Sequence, residues 1–158
     1  RDRAIRNRVR NGLPVSIVLC DIDRFKDIND TYGHATGDLV IVAFSDLLRS
    51  VMAAHHAAGR IGGEEFAVLI EGANLTSARL FAEHARQAFS AMQIEGLPPH
   101  RRVTASFGIA EALDGETALQ LQARADQALY EAKRAGRDCV RISSPPRIGA
   151  AGPSLRLI

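Results

Sequence analysis

Arg60-Ile61-Gly62-Gly63-Glu64-Glu65-Phe66-Ala67-Val68-Leu69-Ile70 holds a glycine pair, two carboxylates and then an unbroken apolar run. That pattern predicts two strands joined by a tight glycine turn. Glycines without side chains also let a ligand approach the backbone closely. A solvated acidic turn has the same local sequence, so this stretch alone leaves both readings open.

Working outward, Val15-Ser16-Ile17-Val18-Leu19-Cys20 is a second apolar, β-branched run, with Asp21 and Asp23 at its C-terminal end. It reads as a buried strand, although periodicity does not separate that from a buried helical segment. Arg1 to Asn11 reads as the end of a basic helix closed by Gly12 and Pro14. Phe25 to Thr31 is a short helix interrupted by Gly33, and an apolar-periodic helix runs from Leu39 to Ala54. Asn74 is placed to cap a helix over Leu75 to Met92, and Thr117 to cap another that Gly136 ends. Val103 to Ala110 and Cys139 to Ile142 supply further strands. Strands alternating with helices give an α/β (α+β) class, with helices packed on one sheet. Ser143 to Ile158 is rich in Pro, Gly, Ser and Ala and reads as a tail or linker after a domain over residues 1–142.

The 158 residues suit one domain with its own core, and 46% hydrophobic with 24% charged residues is an ordinary globular balance. A net charge of +2 is too weak to argue for nucleic acid, and 5% aromatic content gives little for base stacking. Cys20 and Cys139 form no CxxC pair, so a reducing cytoplasmic compartment fits better than a disulfide framework. No run approaches a membrane span, so no membrane contact is expected of this domain. The opening at Arg1 rather than Met reads as a fragment, whose missing part can hold a membrane anchor or a sensor.

Asp21, Asp23, Glu64 and Glu65 are the candidate chemical centre, since carboxylates at a strand end and a nearby hairpin turn can converge. Hard carboxylate oxygens suit Mg²⁺, which binds substrate phosphates and can clamp both oxygens of a phosphoryl transfer. No GxxxxGK[ST] loop and no GxGxxG fingerprint is present. The adjacent His55-His56 lacks the spacing that puts two ligands on one helix face.

Asp21-Ile22-Asp23-Arg24-Phe25-Lys26-Asp27-Ile28-Asn29-Asp30-Thr31-Tyr32-Gly33-His34, followed by Gly37-Asp38, resembles the first half of the GGDEF family, the bacterial diguanylate cyclases. Gly62-Gly63-Glu64-Glu65-Phe66 is similar to the motif naming that family, in its GGEEF form. Ser106-Phe107-Gly108 resembles a later family strand, and Ala125 to Arg137 its closing helix. The resemblance implies a mostly antiparallel central sheet flanked by helices, like a nucleotide cyclase or polymerase palm. It implies condensation of two GTP into cyclic di-GMP and two pyrophosphates, by attack of a ribose 3′-hydroxyl on an α-phosphate. It also implies two Mg²⁺ per active site (Mn²⁺ as an alternative), a catalytic homodimer and an attached sensor or regulatory domain outside this chain. The alternative is a degenerate GTP-binding regulatory module.

By the same resemblance, Asp21, the carbonyl of Ile22, Glu64 and Glu65 bind metal, and Glu64 with Lys26 is catalytic. Asn29 and Asp38 read guanine, which their hydrogen-bonding groups suit. An aspartate at Asp38 favours GTP over mixed purines. His34 lies near the substrate, and Lys133 and Arg137 contact the triphosphate. Alternatives remain at several positions: Asp38 as a helix N-cap, Asn29 or His34 as a turn residue, and Lys133 with Arg137 as charges sharing one face near a helix C-terminus.

Two departures from the family stand out. Its RxxD product-inhibition site is here Ala53-Ala54-His55-His56, and alanine cannot grip a phosphate as an arginine fork does. Its opening L-T-G-L and N-R-R pattern is missing or cut short, which reads as a truncated N-terminal edge.

Overall fold

A computed structural model describes residues 2–54 and 56–144. The elements are α1 (Asp2–Arg10), β1 (Val15–Ile22), α2 (Phe25–Tyr32), α3 (His34–Val51), β2 (His56–Arg60), β3 (Glu65–Glu71), α4 (Leu75–Ala91), β4 (Ala105–Glu111), α5 (Ala118–Arg134) and β5 (Val140–Ile142). The strands form one sheet in the order β2-β3-β1-β4-β5. All pairings are antiparallel except β4 with β5. The α+β reading and the mostly antiparallel sheet therefore hold. The expected tail falls largely on residues 145–158, outside the described residues.

Side chains alternate across a strand, so each face of the sheet carries its own core. Val18, Cys20, Ile22, Phe66, Val68, Phe107 and Ile109 face a core shared with residues of α2, α3 and α4. At its centre Phe44 of α3 meets Phe66 at 5.2 Å and Phe89 at 4.7 Å, both edge-on. Such pairs add about 0.5–1.5 kcal/mol each beyond their burial. Val15, Leu19 and Ala110 look the other way, into a core with Ile5 of α1 and Leu121, Ala125 and Leu129 of α5.

Two local devices set the frame of the site. A Cβ at Gly108 would stand 2.2 Å from the Leu129 nitrogen and 2.3 Å from the Ala125 carbonyl oxygen. Only glycine lets α5 lie this close on β4. The same helix starts with a capping box, in which Thr117 accepts from Gln120 N and Gln120 accepts from Thr117 N. Asn74 caps α4 through Ser77 N as its sequence position predicts.

Candidate active site

The site gathers at the C-terminal end of β1, where three neighbouring segments contribute. Asp21 faces Glu65 directly across the β1–β3 ladder. Carboxylates so placed have Cβ atoms about 5 Å apart and repel. Glu64, in the turn before β3, is tied to β1 because its carbonyl accepts from Ile22 N at 3.2 Å. That bond fixes Glu64 beside the strand end, next to the Ile22 backbone expected to offer a carbonyl. From the opposite side Lys133 of α5, 112 residues from Asp21 in sequence, donates its ammonium to the Asp21 carboxylate.

The electrostatics of this corner are unbalanced. Burial pushes the Asp21 carboxyl above its ordinary range; the Lys133 hydrogen bond and charge offset only part of this, and Glu64 and Asp23 add to the rise. Glu65 is raised as well, first by burial, then by the charges of Asp21 and Asp126. Lys133 is the cation that meets Asp21 in this corner, and its charge lowers both carboxyls against the rise. Among the described residues no three His, Cys, Asp or Glu side chains close into a metal site by themselves. The donor set nonetheless suits Mg²⁺, which commonly takes one or two carboxylates and completes its shell with water and substrate phosphates.

Asp23 departs from the sequence expectation. It does not join the other carboxylates. Its Oδ1 accepts from Ser106 Oγ at 2.6 Å, and its Oδ2 from Thr104 Oγ1 at 2.8 Å and Asp138 N at 2.9 Å. A buried carboxylate with three donors has most of its acceptor capacity committed to the fold.

Between α2 and α3, the Asn29 side chain packs on Gly37, the residue before Asp38. A Cβ on Gly37 would lie 1.8 Å from Asn29 Oδ1, so the Asn29 amide occupies space that only a glycine beside Asp38 leaves open. Asp38 is not an N-cap: α3 starts at His34, and Gly33, with φ 89°, is its cap residue. The helix therefore starts several residues before the predicted Leu39. One turn beyond Asp38, Ile41 and Val42 line a cleft of about 340 Å³ between α3 and β2 that reaches Arg60.

His34 is exposed at the start of α3. Lys26 is 90% exposed on α2 and lies 3.9 Å from Asp30, a pair worth little energetically. Lys133 and Arg137 do not share a helix face. The helix ends at Arg134, and Arg137 follows in a turn with φ 65°. Gly136, read as the helix terminator, has already redirected the chain.

Sequence reasoning missed Arg60. Its Nε donates to Gly62 O at 3.1 Å and Gly63 O at 2.9 Å, bracing the glycine turn from the solvent side. The only local signal was a basic residue two positions before the glycine pair. At the former RxxD stretch, Ala53 follows α3 and His56 opens β2; His55 lies outside the described residues. His56 Nδ1 accepts from Ala53 N, and its ring sits edge-on to Phe81.

A profile of the family described as "Diguanylate cyclase, GGDEF domain" matches residues 2–139. The chain belongs to the GGDEF family. It is 40% identical over 135 residues to the diguanylate cyclase VdcA of Vibrio cholerae serotype O1, covering 84% of this chain and 40% of that protein. The chain thus spans less than half of that relative's length. Among solved structures, the GGDEF domain of DgcB from Caulobacter crescentus in complex with c-di-GMP superposes with TM-score 0.83 at 34% identity, over 90% of this chain and 85% of that one. The active GGEEF domain of a diguanylate cyclase from Vibrio cholerae gives TM-score 0.83 at 34% identity, over 91% of this chain and 94% of that one. The GGDEF fold, with its five-stranded sheet and flanking helices, is therefore the fold of this chain. Among the described residues no helix is long and apolar enough to cross a membrane.

Proposed function

We propose that this domain, residues 1–142, is a diguanylate cyclase. It condenses two GTP into cyclic di-GMP: each ribose 3′-oxygen bonds to the partner's α-phosphorus, and the bond to the β-phosphate breaks with release of pyrophosphate. The observation carrying this reading is the meeting of Asp21, Glu64, Glu65 and Lys133 at one strand end. An isolated acidic turn would not bring a lysine from the far end of the chain to its neighbouring strand.

Asn29 and Asp38 hold the guanine edge, with the Asp38 carboxylate accepting from N1–H and N2–H. His34 stands at the same entrance. Lys133 leaves Asp21 for the triphosphate, and Arg137 binds the same phosphates. Asp21, the Ile22 carbonyl, Glu64 and Glu65 would hold Mg²⁺ or Mn²⁺, two per site, which would neutralise phosphate charge. Glu64 orients the attacking 3′-hydroxyl and takes up its proton, and Lys26 offers positive charge to the transferring phosphoryl group. Each protomer presents one GTP, so the working form is a homodimer. A sensor or regulatory segment outside this chain controls the encounter, in the cytoplasm. With Ala53 and His56 in place of the arginine and aspartate, the RxxD type of product inhibition is absent.

Incubating the protein with GTP and Mg²⁺ and resolving the nucleotides by chromatography tests this. Cyclic di-GMP is the expected product; GTP binding without product selects the regulatory module instead.

A further inference from the structure

The carboxylate that left the metal corner has its own task. Asp23 sits two residues beyond Asp21, yet it is 6% exposed and spends both oxygens on hydrogen bonds. Two of its donors, Thr104 and Ser106, belong to β4 and the residue before it. The third is the backbone N–H of Asp138, from the turn between α5 and β5. Asp23 N also donates to Thr104 O at 2.8 Å.

That turn is strained. Arg137 and Asp138 are consecutive non-glycine residues with φ of 65° and 44°. Such residues persist only where the surroundings hold them. The restraints here are specific. Arg137 N donates to Ala132 O at 3.1 Å, and Asp138 N to Asp23. On the outer side the Asp138 carboxylate accepts from Arg86 of α4 at 3.0 Å, and Arg86 is itself held by Glu83. The exposed Arg137 side chain therefore projects from a backbone clamped between the end of β1 and α4.

We infer that Asp23 is a positioning residue for the phosphate-binding arginine. It locks the 137–138 turn onto the strand end that carries Asp21, fixing Arg137 relative to the metal corner. Asp23 ligates no metal. This rests on the reading that Arg137 binds the triphosphate. Without Asp23, the turn relaxes toward ordinary φ values and Arg137 swings away, while Asn29 and Asp38 still hold the base.

The test is a double-mutant cycle on the full chain with Asp23→Ala, Arg137→Ala and both together. The readouts are calorimetric affinity for a non-hydrolysable GTP analogue and for guanosine, plus KM, kcat and half-saturating Mg²⁺ in turnover. Each single variant should weaken the analogue about tenfold and raise KM, with smaller change in kcat. The double variant should be no weaker than either single, and guanosine affinity should not move. Asp23→Asn, which keeps an acceptor for Asp138 N, should recover most of the loss. Should Asp23→Ala not fold, Ser106→Ala removes one donor and runs through the same cycle, with a smaller loss in the same direction.

Independent, multiplying losses in the double variant would overturn the inference. So would a raised Mg²⁺ requirement in Asp23→Asn, which would mark Asp23 as a ligand. Because the affinity cycle needs no turnover, a protein that makes no cyclic di-GMP would sink the cyclase reading and leave this one standing.

Discussion

The two ends of the sheet treat buried carboxylates in opposite ways. At the end of β1, Asp21 and Glu65 face each other, and burial together with like charge raises both. At the other end, beyond β4, Glu116 is also pushed up by burial. There the outcome reverses, because Arg124 grips both of its oxygens, at 2.6 and 2.8 Å, and Leu113 N donates to it at 2.9 Å, so Glu116 is held below the ordinary range. Arg124 also bonds the Glu111 carbonyl and joins α5 to the end of β4. One end is a closed ion pair that serves the fold. At the other, the Lys133 pairing only partly offsets the rise that burial and like charge cause at Asp21.

Substitutions should separate the two ends. Glu64→Gln should lower cyclic di-GMP synthesis by about 100-fold or more, since a lost group that stabilises developing charge costs on that order. Its melting temperature should stay near that of the parent; a parent-like rate would remove Glu64 from the reaction. Arg124→Ala should do the reverse, costing about 2–3 kcal/mol in denaturant unfolding by leaving Glu116 buried and unpaired. Its GTP KM should be unchanged, and a large KM effect would erase the distinction between the ends.

Gly37→Ala drives a methyl into the Asn29 amide and should raise GTP KM about tenfold, the worth of one displaced polar contact. Pyrophosphate release followed against GTP concentration would show it. The smallest effect concerns pH. Asp21 and Glu65 have folded values above the unfolded ones, so the folded state binds more protons, and stability falls as pH rises through that window. In Mg²⁺-free buffer, Glu65→Gln should therefore melt higher than the parent near neutral pH, and the gap should close as pH falls to about 4. Glu116 has the opposite sign: its contribution is present above the unfolded value and is lost as pH falls through the folded one. A Glu65→Gln variant melting lower than the parent at neutral pH would show that Glu65 already has its countercharge.

The elements were legible where local chemistry fixes them. Asn74 and Thr117 cap the helices they precede, and the glycine pair joins two strands. Boundaries failed where a helix begins without a side-chain cap. Gly33 starts α3, so Asp38 looked like the better signal. The Lys133–Arg137 spacing misled for a related reason, since counting by fours assumes a helix that Gly136 had already ended.

The sequence alone determined the fold class, the family and the residue types offered at each corner. Patterning at periods of 2 and 3.6, together with ordered motifs, is written along the chain. Only the tertiary structure decided which carboxylates face an unmet charge and which are spent on hydrogen bonds. Asp21 and Asp23 are two residues apart, yet one meets Glu65 and Lys133 while the other is closed over by Thr104, Ser106 and Asp138. Those partners lie 81 to 115 residues from Asp23. Hydrogen bonding and Coulomb forces act over a few ångströms of space, so no reading of neighbours in sequence separates the two.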